Sequence, residues 1–116
     1  MSEVYKVLYS VEARNDLRSF YAYIAFHLRE KEVAKRQTDR IRVCIRGLCA
    51  LPDRHSLVDW EPWASMGMRV IAVDNYLVYY LAEDRRVIVV RIFYGGRDVK
   101  GIVQGRASYD ANNDVE

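Results

Sequence analysis

The stretch MRVIAVDNYLVYYLAEDRRVIVVRIFY, residues 68–94, decides the fold. It contains three runs rich in β-branched and aromatic residues, 68–73, 76–82 and 86–94, which predict three strands. The polar segments between them have the composition and length of turns that join antiparallel neighbours. The middle run is apolar on both faces as far as Leu81, which favours a central position in the sheet.

The residues before this stretch predict one further strand and two helices. Residues 4–9 indicate a strand that stops at Ser10, a residue type that caps helices. Apolar residues then recur at steps of three and four, first to about Arg29 and again, after a polar turn over 29–32, from Ala34 to Pro52. The two helices should pair as an antiparallel hairpin on one face of the sheet, which gives an α+β fold of order β-α-α-β-β-β.

The rest of the chain predicts connecting segments. Residues 52–67 lack a sustained period and contain two prolines and two tryptophans, so we expect a loop. Residues 97–103 could form a strand or a helical turn. The length of 116 residues predicts one domain over 1–104. Residues 105–116 are polar and predict a flexible tail.

Composition restricts the classes of protein and ligand. Hydrophobic residues make up 51% of the chain and charged residues 29%, which is typical of globular proteins. The longest apolar runs are too short to cross a bilayer and the N-terminus lacks a secretory pattern, so we expect a cytoplasmic protein without a membrane partner. Neither the two cysteines nor the two histidines have metal-ligand spacing, and there is no glycine-rich phosphate loop. We therefore expect no metal and no cofactor.

The charge is unevenly distributed although the formal net charge is only +2. Residues 29–46 contain seven basic residues against three acidic ones. Within this segment Lys35, Arg42 and Arg46 should lie near one face of the second helix. They are candidates for binding RNA phosphates, and a solvated helix face is the alternative interpretation.

Several short patterns resemble the RelE/ParE family of toxins from type II toxin–antitoxin systems. They cover residues 5–99 in the order Ala13-x-x-Asp16-Leu17, Leu48-x-x-Leu51-Pro52, Asn75-Tyr76-x-Val78-x-Tyr80, Val90-Arg91-Ile92 and Gly96-Arg97-Asp98. The resemblance implies a helix hairpin on a curved antiparallel sheet and a cognate antitoxin as partner. It also implies one of two targets, because RelE-like members cut messenger RNA on the ribosome whereas ParE-like members poison DNA gyrase.

Metal-free RNA cleavage requires a base, an acid and cations that stabilise the phosphate. Arg69 and Arg97 are the candidate phosphate ligands, and Arg91 is a further candidate for RNA binding. Arg97 matches a catalytic position of the RNA-cutting members. Tyr94 is a candidate proton carrier, although its alternation with Ile88, Val90 and Ile92 also fits a tyrosine at the edge of the core.

Two other catalytic positions of the RNA-cutting members do not match. Leu77 stands where those members have an arginine after the central-strand tyrosine, and Val103 lies near the place of their C-terminal tyrosine. His55 or Glu61 could substitute in proton transfer. Solvated strand-end arginines are the alternative interpretation for Arg69 and Arg97.

Trp60 and Trp63 are candidates for antitoxin binding, because tryptophan is enriched at the centres of protein interfaces. The pair could equally fix the loop to the sheet. The leading hypothesis is a toxin that acts as a metal-independent, ribosome-dependent endoribonuclease on messenger RNA. The alternatives are a non-enzymatic gyrase inhibitor, which the two unmatched positions favour, and a degenerate toxin that retains only antitoxin binding.

Overall fold

The computed structural model describes residues 4–95 and 97–105. The predicted tail therefore lies outside the described residues, apart from Gly105. The helices and strands follow the chain as β1 Lys6–Tyr9, α1 Val11–Ala22, α2 Lys31–Arg46, β2 Ser56–Leu57, α3 Trp63–Met66, β3 Arg69–Val73, β4 Tyr76–Glu83, β5 Arg86–Tyr94 and α4 Val99–Val103. No helix in the described ranges is long and apolar enough to span a membrane.

The five strands form one sheet in the order β1-β5-β4-β3-β2. Strands β3, β4 and β5 are the predicted antiparallel meander, and β4 occupies the predicted central position. The sheet departs from the prediction at one edge, where β1 runs parallel to β5 and pairs Val7 with Val87. A parallel pair requires a long connection, which the hairpin and the meander together provide.

The hairpin confirms the two predicted helices. Ser10 caps α1 by accepting a hydrogen bond from the Ala13 N–H at 2.9 Å, and α1 continues into a π-helical turn over Tyr23–His27. The chain reverses at Arg29, which has a φ of 59°. The hairpin and one sheet face enclose a core of Ala13, Leu17, Ile41, Ile45, Leu48, Val73, Tyr76, Val78, Tyr80, Val87, Val89 and Ile92.

The opposite face of the sheet carries a second apolar cluster. It contains Met68, Tyr79 and Phe93 of the sheet region together with Val58, Trp63 and Val99. The segment predicted as an irregular loop, 52–67, therefore includes the short elements β2 and α3, because its apolar side chains are buried on this face. The segment after β5 forms a helical turn, α4, which was one of the two predicted alternatives.

A β-bulge in β5 corrects the predicted alternation, which placed Ile88, Val90, Ile92 and Tyr94 on one face. Tyr79 pairs with Arg91 and Tyr80 with Val89, so Val90 is an extra residue that shifts the alternation. As a result Ile92 packs in the hairpin-side core whereas Val90 packs in the second cluster, and the two do not share a face. The Val90 carbonyl accepts a hydrogen bond from the Ser10 hydroxyl at 2.8 Å, which fixes the bulge to the start of α1.

Candidate functional site

Arg69 lies at the beginning of β3, opposite Tyr80. Its guanidinium donates a hydrogen bond of 2.6 Å to the His55 carbonyl and lies 3.9 Å from a carboxylate oxygen of Asp53. Its side chain is only 21% exposed. Arg69 therefore fixes residues 53–55 to the sheet and presents a small part of its surface to a ligand.

Tyr94 and Arg97 lie at the other end of the meander. Tyr94 ends β5 opposite Tyr76, and the two rings meet edge to face with centroids 5.3 Å apart. Half of the Tyr94 side chain is exposed, so it is a core-edge tyrosine rather than a buried one. Arg97 is exposed and follows in the connection to α4, where its N–H donates to the Tyr94 carbonyl at 3.3 Å.

The sheet register keeps Arg69 away from Tyr94. Their partners on β4 are Tyr80 and Tyr76, four positions apart, which corresponds to about 13 Å along the strand. The two strands are also separated by the width of β4, which adds about 10 Å across the sheet. With the Arg69 guanidinium held at the His55 carbonyl, this separation argues against one scissile phosphate in contact with both groups. The structure brings Tyr94 and Arg97 near each other and leaves Arg69 apart.

Arg91 has a structural partner. Its Nε and one Nη donate to the two carboxylate oxygens of Asp16 at 2.9 and 3.0 Å, and its guanidinium lies 4.4 Å from the centre of the Phe93 ring. Asp16 also accepts a hydrogen bond from the Ile92 N–H at 2.8 Å. Arg91, which was predicted to bind RNA, therefore helps to hold α1 against β5.

The basic face of α2 divides into two parts. Lys35 forms an exposed ion pair with Asp39 at 2.8 Å. Arg42 and Arg46 instead line an open cleft between the hairpin and the β1 edge, together with Arg14 and Arg18 of α1. The sequence analysis missed the two α1 arginines. Their spacing of four residues, which repeats that of Arg42 and Arg46, is the signal that could have identified them.

The two tryptophans pack on the sheet. The rings of Trp60 and Trp63 stack with centroids 5.2 Å apart, and Trp63 lies 4.8 Å from the ring of Tyr79. Trp63 is buried and Trp60 is half-buried. This geometry agrees with the second interpretation of the two tryptophans, in which they hold the loop against the sheet. Only Trp60 presents ring surface to a partner without movement of the loop.

The end of the hairpin exposes apolar side chains that the sequence analysis did not single out. Tyr23, Phe26 and Leu28, which we call the hairpin tip, are 55%, 63% and 50% exposed. Leu28 falls within the first predicted apolar stripe, which runs to about Arg29. It is exposed because the π-helical turn packs mainly on α1 and α2 rather than on the sheet.

His55 is the one histidine beside a candidate catalytic residue. Burial lowers the pKa of its imidazole, and the charges of Arg54 and Arg69 lower it further. His55 is therefore neutral near pH 7, as a proton acceptor must be. Among residues 4–95 and 97–105 no three histidine, cysteine or acidic side chains form a group that could hold a metal ion.

Two solved toxin–antitoxin structures have a fold similar to that of this chain. A chain of the chromosomal ParDE TA system from P. aeruginosa superimposes with a TM-score of 0.67 and 16% identity, covering 79% of this chain and 97% of that one. A chain of the toxin–antitoxin complex RelBE2 from Mycobacterium tuberculosis gives a TM-score of 0.55 and 18% identity, covering 82% of this chain and 95% of that one. These similarities define the fold as RelE/ParE-like.

The sequence itself matches a family model over most of its length. The model describes the ParE toxin of the type II toxin–antitoxin system parDE and matches residues 7–99. The chain therefore belongs to the ParE toxin family of type II toxin–antitoxin systems. None of the curated proteins compared with it gives a match.

Proposed function

We propose that this toxin inhibits growth by binding DNA gyrase without cleaving RNA, and that a cognate antitoxin neutralises it. The observation that carries the proposal is the separation of Arg69 from Tyr94 and Arg97. Cleavage requires the phosphate ligand and the proton carrier to contact the same few atoms. Three candidate catalytic groups at two ends of the sheet do not meet that requirement.

The hairpin tip supports action by protein binding. Exposed apolar residues that lie together mark interaction surfaces on soluble proteins, and aromatic residues contribute strongly at such surfaces. The hairpin tip combines Tyr23, whose ring stacks on His27 at 4.9 Å, with Phe26, whose ring meets Tyr21 at 6.4 Å. These ring contacts with His27 and Tyr21 limit the side-chain entropy that binding would cost.

Ribosome-dependent cleavage of messenger RNA is the second candidate function. The observation that favours it is the proximity of Arg69 to His55, since a neutral imidazole beside an arginine provides a base and a phosphate ligand in one place. Against it, the Arg69 guanidinium already contacts the His55 carbonyl and is largely covered.

Induced expression in a bacterial host without antitoxin separates the two functions. Thymidine and methionine incorporation are followed in parallel for the wild type, for Arg69→Ala with Arg97→Ala, and for His55→Ala. We expect thymidine incorporation to fall first and both variants to remain toxic. An early fall in methionine incorporation with cut transcripts, abolished by the variants, would instead establish RNA cleavage.

Antitoxin binding is tested separately, because it does not depend on the target. The test requires a small reading frame next to the gene, where the antitoxin is expected; it is co-expressed with the toxin, and growth and co-purification are measured. We expect growth to be restored and the two chains to elute as one complex. Two separate chains without rescue of growth would contradict the proposed partner.

A further inference from the structure

An open cleft of about 510 Å³ lies between the hairpin and the β1 edge of the sheet. Its floor contains the buried Leu17 of α1 and the half-buried Val7 and Tyr9 of β1. Each helix of the hairpin adds two exposed arginines, which together we call the arginine rim: Arg14, Arg18, Arg42 and Arg46. A ligand that approaches from solvent therefore meets guanidinium groups before it meets the apolar floor.

The arginine rim concentrates positive charge in one place. Arg14 and Arg18 are one helical turn apart on α1, and Arg42 and Arg46 are one turn apart on α2, so each pair places like charges side by side. Such pairs weaken a helix in isolation. No acidic side chain is among the described residues that line the cleft. A ligand with several closely spaced negative charges would relieve the repulsion within both pairs.

The rest of the fold neutralises little of this charge. Over residues 4–95 and 97–105, neither Arg14 nor Arg46 has a carboxylate within ion-pair distance. Arg18 donates to the neutral side chain of Asn15, at 3.2 Å. Arg42 lies 3.7 Å from Asp39, and that carboxylate is already bound to Lys35 at 2.8 Å. The guanidinium groups therefore retain donors for an external anion.

Tyr9 is the other polar side chain in the described lining of the cleft. Burial raises the pKa of its hydroxyl, and the positive charges of Arg42 and Arg46 act in the opposite direction. The hydroxyl therefore stays protonated near pH 7 and can donate a hydrogen bond to an anion held by these two arginines. Arginines and a protonated tyrosine provide no proton acceptor, so this lining suits the binding of phosphate groups rather than their cleavage.

We propose that the cleft binds the backbone phosphates of duplex DNA through the arginine rim, with the Tyr9 hydroxyl as a further donor. Arginine binds phosphate bidentately, and a duplex carries one negative charge per about 1.7 Å of its axis, so neighbouring phosphates can meet both arginine pairs. The inference rests on the proposed function, because DNA gyrase acts on DNA and would supply the duplex beside the bound toxin. Contacts to phosphates alone predict binding without sequence preference.

The salt dependence of binding counts the phosphates that the toxin contacts. A short fluorescent DNA duplex is titrated with the full chain, without gyrase, between about 50 and 200 mM salt, and binding is measured by fluorescence anisotropy. Four phosphate contacts predict that log K falls against log salt concentration with a slope of about −3.6. A second duplex of scrambled sequence should bind equally well. Polyglutamate of similar total charge is the competing anion, and we expect it to bind more weakly than the duplex.

Variants locate the binding. Arg14→Gln with Arg46→Gln removes the two arginines that lack a carboxylate neighbour, and Arg36→Gln with Lys100→Gln makes the same charge change outside the cleft. We expect the first pair to weaken duplex binding about tenfold or more and to reduce the slope by about 2, with little change in the second. Equal effects of the two pairs, or tighter binding of polyglutamate than of the duplex, would overturn the proposal. Circular dichroism of each variant checks that the fold is retained.

Inhibition of supercoiling by purified gyrase is measured in parallel, so that this inference and the proposed function can fail separately. A toxin that inhibits supercoiling but does not bind the duplex through the arginine rim retains the proposed function and refutes the inference. A toxin that binds the duplex but leaves supercoiling unchanged refutes the proposed function, and the DNA site stands on its own measurement.

Discussion

Asp16 of α1 and Arg91 of β5, 75 positions apart in the chain, are joined by two parallel hydrogen bonds of 2.9 and 3.0 Å. The same carboxylate accepts the Ile92 N–H, two residues after the extra residue of the bulge. Both side chains are mostly covered, at 13% and 21% exposure. This ion pair therefore joins the hairpin to the strand that carries the bulge.

Removal of the Asp16 carboxylate should destabilise the fold. Asp16→Ala leaves the Arg91 guanidinium and the Ile92 N–H without this acceptor, so we expect the free energy of unfolding to fall by about 2–3 kcal/mol. Asp39→Ala breaks an exposed ion pair and is the matched control, with little change expected. Both are measured by urea denaturation. Equal stability of the two variants would show that the pair contributes nothing beyond a surface contact.

Tyr80 should make the stability sensitive to alkaline pH. Its hydroxyl donates to the Pro52 carbonyl at 2.6 Å, and burial raises its pKa from 10.0 to about 12. Because the folded state holds the proton more tightly, this contribution is complete below pH 10 and is lost as the pH rises to about 12. We expect the urea midpoint to fall between pH 10 and pH 12, and to fall less in Tyr80→Phe. The same pH dependence in both proteins would assign the effect to the other tyrosines.

Asp74 should titrate at unusually low pH. Hydrogen bonds from Arg40 at 2.8 Å and from Gln37 at 2.9 Å lower the pKa of its carboxyl group from 3.8 to about 2. The stabilisation is present above about pH 4 and is lost as the pH falls through 2. Carboxyl chemical shifts in Arg40→Gln should show the pKa of Asp74 returning towards 3.8. Lys35→Gln, which removes a charge elsewhere on α2, should leave it unchanged.

The hairpin tip should be required for toxicity. Phe26→Ser removes an exposed ring, so we expect the fold to be retained while inhibition of thymidine incorporation is lost. Val43→Ser is the control, because Val43 is also apolar and 56% exposed but lies near the other end of α2. Toxicity that survives Phe26→Ser but not Val43→Ser would place the target contact elsewhere on the hairpin.

The helices and the meander could be predicted because each has a local signal. Apolar residues recur every three to four positions in 11–28 and 34–48, which indicates helices. The apolar run that begins at Tyr76 indicates a buried strand. The partner of β1 has no such signal, since pairing between distant strands depends on the whole fold. The bulge at Val90 has no local signal either, because residues 87–90 are all apolar and fit either face of the sheet.

The candidate site was harder to predict than the fold. Arg42 and Arg46 stood out because the segment around them is basic. Arg14 and Arg18 did not, because they join that cluster only after the hairpin folds. The separation of Arg69 from Tyr94 follows from the strand register, which composition does not specify.

The pairing of β1 with β5 determines when the sheet can be completed during synthesis of the chain. The Ser10 hydroxyl donates a hydrogen bond to the Val90 carbonyl, 80 positions later in the chain. β1 can therefore pair with β5 only after most of the chain has left the ribosome. Contacts between distant segments slow folding. Synthesis of this toxin therefore includes a period in which the nascent chain has no finished sheet, and during that period the first strand lacks its neighbour.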